Sequence, residues 1–297
     1  MRNIAKIGGV VLAGLVFLTP SALAHDRNGP TARQGAGLMA VGLLDDQRLV
    51  HFDTGRPGNA AGEVKVSGLT ADTALIGIDY RVQNNLLYGV GNQGGIYTLD
   101  PNNGAAVKVS QLSVALDGQF FGVDFNPPAN RLRVISDTGQ NLRHNIDDNS
   151  PNAAPAPGNT AEDKRLTTPT STDTTTVTSG VTAAGYTNND LIPTTATTLF
   201  DINTTNDTLV LQSPANAGTL APSGQLTVDA GTDAGLDIYS VLDESGTTVD
   251  NRAFATLQAG GRYALYDVNL LTGKATSCGE FHSGMKVVDL AIPLDQR

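Results

Sequence analysis

The chain of 297 residues is poor in the residue types on which many catalytic and metal sites depend. It has one cysteine, four histidines and no tryptophan. The lone Cys278 excludes an internal disulfide, so the fold must rely on its apolar core. Neither a paired CxxC nor an HExxH motif occurs, which excludes the common zinc sites. Because GxSxG is also missing and the histidines lie far apart, the sequence does not indicate a Ser–His–Asp hydrolase.

Positive charge is scarce as well, with 19 Lys and Arg against 29 Asp and Glu and a net charge of −10. This balance argues against nucleic acid and anionic membranes as partners. At the N-terminus, Arg2 and Lys6, the apolar run 7–18 and the Ala22-Leu23-Ala24 site predict a signal peptide over residues 1–24. No later apolar run is long enough to span a bilayer. We therefore expect a secreted or periplasmic protein, cleaved near Ala24, without a membrane span.

The most regular feature is an aspartate that ends a short apolar run and precedes a turn rich in Asn, Gly, Pro or Thr. This aspartate occurs at Asp53, Asp100, Asp147, Asp201 and Asp267. Runs of alternating apolar and polar residues between these positions predict short strands, and the 33 glycines fit a turn-rich chain. A repeat of about 50 residues built from strands and hairpins is typical of a β-propeller. Aspartate at the start of a turn accepts hydrogen bonds from nearby backbone amides, so we interpret the five as turn residues.

The predicted fold is all-β, a single propeller domain over residues 37–297 that follows a disordered N-terminus at 25–36. We predict five blades, namely 75–115, 120–170, 181–229, 234–282 and a composite of 286–294 with 38–68. The composite blade closes the ring by pairing the two ends of the domain, which removes the exposed sheet edges. A sixth blade is the alternative if the Pro- and Thr-rich insertion at 150–180 forms one. Otherwise that insertion is a surface connection or a lid over one face.

One stretch is distinctive enough to carry a family resemblance. The run GVDFNPPANRLRVISDTGQNLRHN at 122–145, with LIGIDYRVQNNLLYGVG, AGYTNND and TTLFDIN, resembles the bacterial domain of unknown function 4394 family. The similarity extends from about Leu43 to Pro293. The resemblance implies a secreted bacterial propeller-like domain and assigns no activity.

A second set of acids lies on the predicted first strand of the repeats. Its members are Asp79, Asp124, Asp237 and Asp289. The third repeat has Thr187 or Asn188 where an acid is expected. If these strands are innermost, the carboxylates converge on the channel and are candidate ligands for a hard cation such as Ca²⁺. A pair with one raised pKa is also suited to glycoside hydrolysis. Alternatively, each acid is a structural acceptor for backbone N–H groups of the next blade.

A basic cluster stands out in this acidic chain. It consists of Arg131, Arg133 and Arg143 with Asn141 and Gln140. Guanidinium groups bind carboxylates in a bidentate manner, so the cluster is a candidate site for a carboxylate or an acidic sugar. In the alternative interpretation, the arginines pair with acids such as Asp124 or Asp137 and hold blades together.

These features favour an exported, non-enzymatic binding or interaction module. Its ligand, a small molecule such as a carbohydrate, a peptide or an envelope protein, is expected on a propeller face. The alternative is a hydrolase, glycosidase-type or cation-dependent, with an acidic site at the central channel. No cofactor is predicted, and Ca²⁺ is the one candidate cation.

Overall fold

A computed structural model describes residues 37–169, 175–192 and 194–296, so the predicted signal peptide and N-terminal segment lie outside the described residues. In chain order the strands are β1 (Met39–Leu44), β2 (Arg48–Asp53), β3 (Arg56–Lys65), β4 (Leu75–Arg81), β5 (Leu86–Gly91), β6 (Gly95–Leu99), β7 (Ala106–Gln111), β8 (Phe121–Asn126), β9 (Arg131–Ser136), β10 (Asn141–His144) and β11 (Thr160–Glu162). They continue with β12 (Thr167–Pro169), β13 (Thr175–Val177), β14 (Val181–Tyr186), β15 (Leu199–Asn203), β16 (Thr208–Gln212), β17 (Leu220–Gln225), β18 (Ala234–Leu242), β19 (Thr248–Ala259), β20 (Arg262–Val268), β21 (Ala275–Glu280) and β22 (Val287–Ala291). Among the described residues there is no helix of the length and hydropathy needed to cross a bilayer.

The strands form five four-stranded antiparallel sheets, which confirms the five-bladed β-propeller. The sheets are β4–β7, β8–β11, β14–β17, β18–β21 and β1–β3 with β22. Their innermost strands β4, β8, β14, β18 and β22 contact one another in a closed ring. In the turn between the first two strands of a blade, Asn85 and Asn130 adopt the left-handed conformation that asparagine tolerates.

Ring closure occurs in the predicted composite blade. The C-terminal strand β22 pairs antiparallel with β1, with Val41 opposite Ala291 and Leu43 opposite Asp289. This pairing gives hydrogen-bond partners to an edge that would otherwise stay open. The two ends of the domain are thereby joined in one sheet.

The insertion at 150–180 contributes no sixth blade in its described part. Its strand β11 completes the second blade, with Leu142 opposite Glu162. The next strands, β12 and β13, form only a two-stranded ribbon. Leu166 lies in the core with no exposed area, and its carbonyl accepts a hydrogen bond from Thr178 N. This part of the insertion is therefore anchored between the second and third blades.

The core lies between adjacent blades, because each sheet uses both faces for packing. Ile202 and Leu209 of the third blade pack with Leu236 and Ile238 of the fourth in one apolar cluster. Each such side chain contributes about 1.5–3 kcal/mol when it is fully buried. Because most side chains are buried between blades, the central channel is lined by backbone atoms and by few side chains.

Close approach of the innermost strands leads to a first prediction. A Cβ atom on Gly122 would lie 2.6 Å from the Ala184 nitrogen and 2.7 Å from the Ala183 carbonyl carbon. We expect Gly122→Ala to lower the free energy of unfolding by about 1–3 kcal/mol, measured by urea denaturation. The matched control is Gly58→Ala, where the nearest atom is the Glu280 carbonyl oxygen at 3.2 Å. Equal stability of the two variants would contradict the tight contact between β8 and β14.

Candidate functional site

Carboxylates from three blades meet in the channel. Asp79, Asp124 and Asp237 each place an oxygen within 4.8 Å of the other two. All three are buried, with 6%, 3% and 4% of their surface exposed. The fourth strand acid, Asp289, is also buried, and its charge acts on Asp79 and Asp124. The four acids singled out in the sequence are thus brought together.

Each of these acids also accepts a hydrogen bond from the backbone of the following blade. The bonds run from Phe125 N to Asp79 at 2.8 Å, from Tyr186 N to Asp124, from Ile292 N to Asp237 at 2.5 Å and from Ile78 N to Asp289 at 2.8 Å. An innermost strand is a sheet edge whose N–H groups have no neighbouring strand on the channel side. The carboxylate of the preceding blade supplies that acceptor. The predicted structural role is therefore present at all four acids.

The third blade departs from this pattern, as its sequence suggested. Thr187 uses its hydroxyl oxygen within its own blade, where it accepts from Thr198 N at 2.9 Å. Hydrogen bonds to the fourth blade include one at Asn188, whose side-chain oxygen accepts from the Asn251 amide at 2.8 Å, and two from Asn189, which donates from its backbone to Ser240 Oγ and from its amide to the Ile238 carbonyl, each at 2.8 Å. Neutral groups therefore replace one carboxylate, and the channel contains four acids from five blades.

The electrostatics of the cluster follow from burial and mutual repulsion. Burial raises the pKa of Asp79 and of Asp124 well above the usual range, and the charges of Asp237 and Asp79 respectively raise them further. Burial raises the pKa of Asp237 to about 6 against the backbone hydrogen bonds, which lower it. Burial and the charges of Asp237 and Asp79 raise the pKa of Tyr80 to about 12. Three carboxyl groups this close cannot all be ionised unless a cation compensates their charge. Without a cation they share a proton.

A cavity of about 260 Å³ opens where the innermost strands begin, and we call it the channel mouth. Every blade contributes an innermost-strand residue to its wall, namely Leu75, Phe121, Thr182, Ala234 and Val288. Its polar lining includes Asp45, Gln119 and Asp233, with Phe120 beside them. Ile76 lines the mouth three residues before Asp79, so the carboxylates lie about 10 Å deeper at the usual strand rise.

The loops of the mouth are held by local hydrogen bonds. The Gln47 amide accepts from Leu75 N and donates to Leu75 O, which ties the composite blade to the first blade. Asp45 pairs with Lys286 at 2.8 Å, and Asp233 accepts from the Tyr263 hydroxyl. Sequence reasoning missed this site because its residues come from the starts of five innermost strands and from three separate loops, at 45–47, 119–120 and 232–233. The loop residues Gln119 and Asp233 lie just before a first strand, and that position is the signal that would have identified them.

The basic cluster lies elsewhere, between the second blade, the insertion and the third blade. Arg133 is 2% exposed and donates to Asp163 at 2.8 Å, Asn141 at 2.7 Å and Asn216 at 2.8 Å. The Asn141 amide donates in turn to backbone carbonyls at 3.0 Å. Arg143 shares Asp163 at 3.1 Å. These groups are engaged in contacts within the protein.

The arginines pair with acids, as in the alternative interpretation of the cluster. The acids named there, Asp124 and Asp137, were the wrong partners. Arg131 pairs with Asp148 at 2.8 Å, and Arg133 with Asp163. Asp124 instead bonds the third blade, and the Asp137 carboxylate accepts from Gln119 N at 2.9 Å. Both carboxylates are thus used by backbone amides.

The turn aspartates follow the prediction in two blades and differ in three. Asp53 accepts from Gly55 N at 2.7 Å and Asp100 from Asn102 N at 2.9 Å. In the other blades the same bond is made by Asp148, Asn203 and Asn269, one or two residues after the predicted position. Asp147 accepts from Arg81 of the first blade, and Asp201 is fully buried, with no hydrogen-bond partner for either oxygen among the residues that the structure describes.

Comparison with known proteins gives a family and distant structural relatives. The family model described as Domain of unknown function (DUF4394) matches residues 48–291. A crystal structure of a nidogen/laminin complex is similar at 12% identity and a TM-score of 0.45, covering 88% of this chain and 100% of that one. A structural genomics protein of unknown function from Bacteroides thetaiotaomicron is 13% identical at a TM-score of 0.42, covering 84% of this chain and 59% of that one. No curated protein sequence matches.

Proposed function

The chain belongs to the domain of unknown function 4394 family, and from that premise we propose that it is an exported, non-enzymatic binding module whose ligand sits in the channel mouth. The ligand is a carbohydrate, a peptide or the surface of an envelope protein. Export rests on the N-terminal signal sequence, and protein recovered from the medium or periplasm is expected to begin at His25. The proposal for the mouth requires no cofactor.

The mouth cavity is the observation that carries this proposal. It is a concave site at which the starts of all five innermost strands meet loops of three blades, and such concave sites on a rigid scaffold commonly present ligand-binding groups. Apolar walls from Ile76 and Phe121 are combined with the polar groups of Gln119 and Thr232. The carboxylates of Asp45 and Asp233, in a chain of net charge −10, favour uncharged or cationic ligand groups over anionic ones.

A hydrolase at the channel acids is the second candidate. The observation in its favour is Asp237, whose pKa burial raises to about 6, in the range of a general acid that works near neutral pH. Burial of all three carboxylates counts against it, because a glycan must reach them to react. Turnover of a glycoside substrate panel that is lost in Asp237→Asn would establish the hydrolase and overturn the binding module.

The binding proposal is tested at the mouth itself. Once a glycan array and a peptide library give a ligand, we expect Gln119→Ala and Asp233→Asn each to weaken binding about tenfold, since the first removes a hydrogen-bonding group and the second replaces a charged acceptor with a neutral one, changes worth about 1–3 kcal/mol. Lys108→Ala, on the outermost strand β7, is the control that leaves affinity unchanged. Isothermal titration measures all three. A ligand whose affinity neither mouth variant alters would place the binding face elsewhere.

A further inference from the structure

We propose that the central channel binds a calcium ion through the carboxylates of Asp79, Asp124 and Asp237. This metal site goes beyond the proposed ligand site at the mouth, and the two are independent of each other. The ion would join the first, second and fourth blades across the channel. It would therefore stabilise the propeller whether or not a ligand occupies the mouth.

The spacing of the oxygens suits calcium. Ca²⁺ binds oxygen at about 2.3–2.6 Å, so two ligands on opposite sides of the ion lie about 4.8 Å apart. The three carboxylate oxygens all lie within that limit. Mg²⁺ binds at about 2.0–2.1 Å, demands near-octahedral geometry and usually keeps several waters, so a site built from three carboxylates suits Ca²⁺ better.

The backbone around the cluster is arranged to hold anions. Asp79 accepts from Tyr80 N at 2.6 Å and from Phe125 N at 2.8 Å, so both of its oxygens face N–H donors. Hydrogen bonds from backbone N–H groups favour the ionised form of a carboxylate. The bonds also fix the directions of these side chains before an ion arrives. A divalent cation would compensate the repulsion that remains between the three charges.

Thr256 provides an observation that is independent of the acids. Its side chain is fully buried, and its hydroxyl oxygen has no hydrogen-bond partner among the described residues. Thr256 lies opposite Gly235 in the sheet, and a Cβ atom on Gly235 would be 2.8 Å from Thr256 Oγ1 and 2.5 Å from Asp289 Oδ1. The Thr256 hydroxyl and the Asp289 carboxylate therefore both lie close to the position that a side chain on Gly235 would occupy, beside the acid cluster.

A buried hydroxyl without a partner costs about 1–3 kcal/mol by mutational measures, so the position of Thr256 Oγ1 beside the Asp289 carboxylate indicates a missing polar group. A water molecule bound to the ion would supply it. Asp289 and Thr256 would then hold the solvent shell of the ion, while the other three acids contact the ion directly.

Terbium luminescence tests the site with the whole protein. The protein has seven tyrosines and no tryptophan, and Tyr80 is adjacent to Asp79. Protein stripped with EDTA and titrated with TbCl₃ is expected to show tyrosine-sensitised emission that CaCl₂ displaces. Tyr80→Phe should reduce this emission and leave the calcium affinity measured by calorimetry unchanged.

Asp124→Asn should weaken calcium binding at least tenfold, because asparagine keeps an acceptor for Tyr186 N but loses the charge. Asp250→Asn, at an exposed position on β19, is the matched control and should bind calcium as the wild type does. The thermal midpoint of the wild type should rise with CaCl₂ and fall with EDTA, which keeps the proposal testable if Asp124→Asn does not fold. A midpoint and emission indifferent to calcium, or equal affinity in Asp124→Asn, would overturn the calcium site. If the mouth variants lose ligand binding but keep the wild-type calcium affinity, that result bears on the proposed function alone and not on the calcium site.

Discussion

Replacing Arg133 with methionine is expected to destabilise the propeller by about 3–5 kcal/mol, the cost of breaking a buried ion pair from one side. Arg133 and Asp163 are both buried, with side chains 2% and 8% exposed. Asn141, Asn216 and the Tyr186 hydroxyl also lose a hydrogen-bond partner. Because these groups belong to the second blade, the insertion and the third blade, one substitution weakens three contacts at once.

Urea denaturation at pH 7 measures this loss. The control is Arg262→Met, since the Arg262–Glu280 pair is as short, at 2.8 Å, but has side chains 72% and 54% exposed. Exposed pairs contribute about 0–1 kcal/mol, so the control should unfold close to the wild type. If Arg133→Met unfolds at the same urea concentration as the control, the basic cluster does not hold the blades together.

Asp201→Leu is expected to stabilise the protein at pH 8 by about 1–3 kcal/mol, the cost of burying a polar group without a hydrogen bond. Asp201 has no exposed surface, and neither carboxylate oxygen has a partner among the described groups. Burial raises its pKa well above the ordinary value, and the charge of Arg133 lowers it only in part. Leucine has the same branched arrangement of side-chain heavy atoms, and its methyl groups suit the neighbours Ala184 and Val210, which lie opposite in the sheet.

The sign of the pH dependence follows from that raised pKa. Below the unfolded value near 3.8, Asp201 is protonated in both states and costs least. As pH rises from there through the folded pKa, the unfolded state ionises first and the native state loses stability. The stability difference between Asp201→Leu and wild type should therefore grow from pH 4 to pH 8.

Urea midpoints at several pH values measure this difference. The contribution of the channel acids to the pH dependence of stability cancels, because both proteins contain them. Val249→Thr, at an exposed position on β19 without a titratable side chain, is the control and should give a flat difference. If Asp201→Leu raises the free energy of unfolding by the same amount at all pH values, the Asp201 carboxyl does not change its protonation when the protein unfolds. Reduced stability at pH 8 would mean that Asp201 has a favourable role.

Several features of the fold were predictable because they depend on local chemistry that repeats. Alternation of apolar and polar residues predicted the strands, and the position of Asp79 and Asp124 on equivalent first strands predicted that their carboxylates would meet. The pairing of β22 with β1 was predictable because an open ring leaves two unpaired edges.

The contacts between blades were not predictable in the same way. Arg133 bonds Asn216 across 83 residues and Asp163 across 30, and spacing alone does not select those partners. The turn aspartates show the same limit within a blade, because a shift of one or two residues passes the bond to Asp148, Asn203 or Asn269.

The amino-acid sequence by itself determined the architecture of this protein: five repeats of short strands, closed by joining the chain ends, with four acids on the innermost strands. It did so because strand periodicity and turn chemistry act over a few residues and recur in each repeat. Only the tertiary structure decided what those acids face and which polar groups are left without partners. Distances between carboxylates, and the burial of Asp201 and Thr256, depend on how whole blades pack around the channel, and no local pattern encodes that geometry.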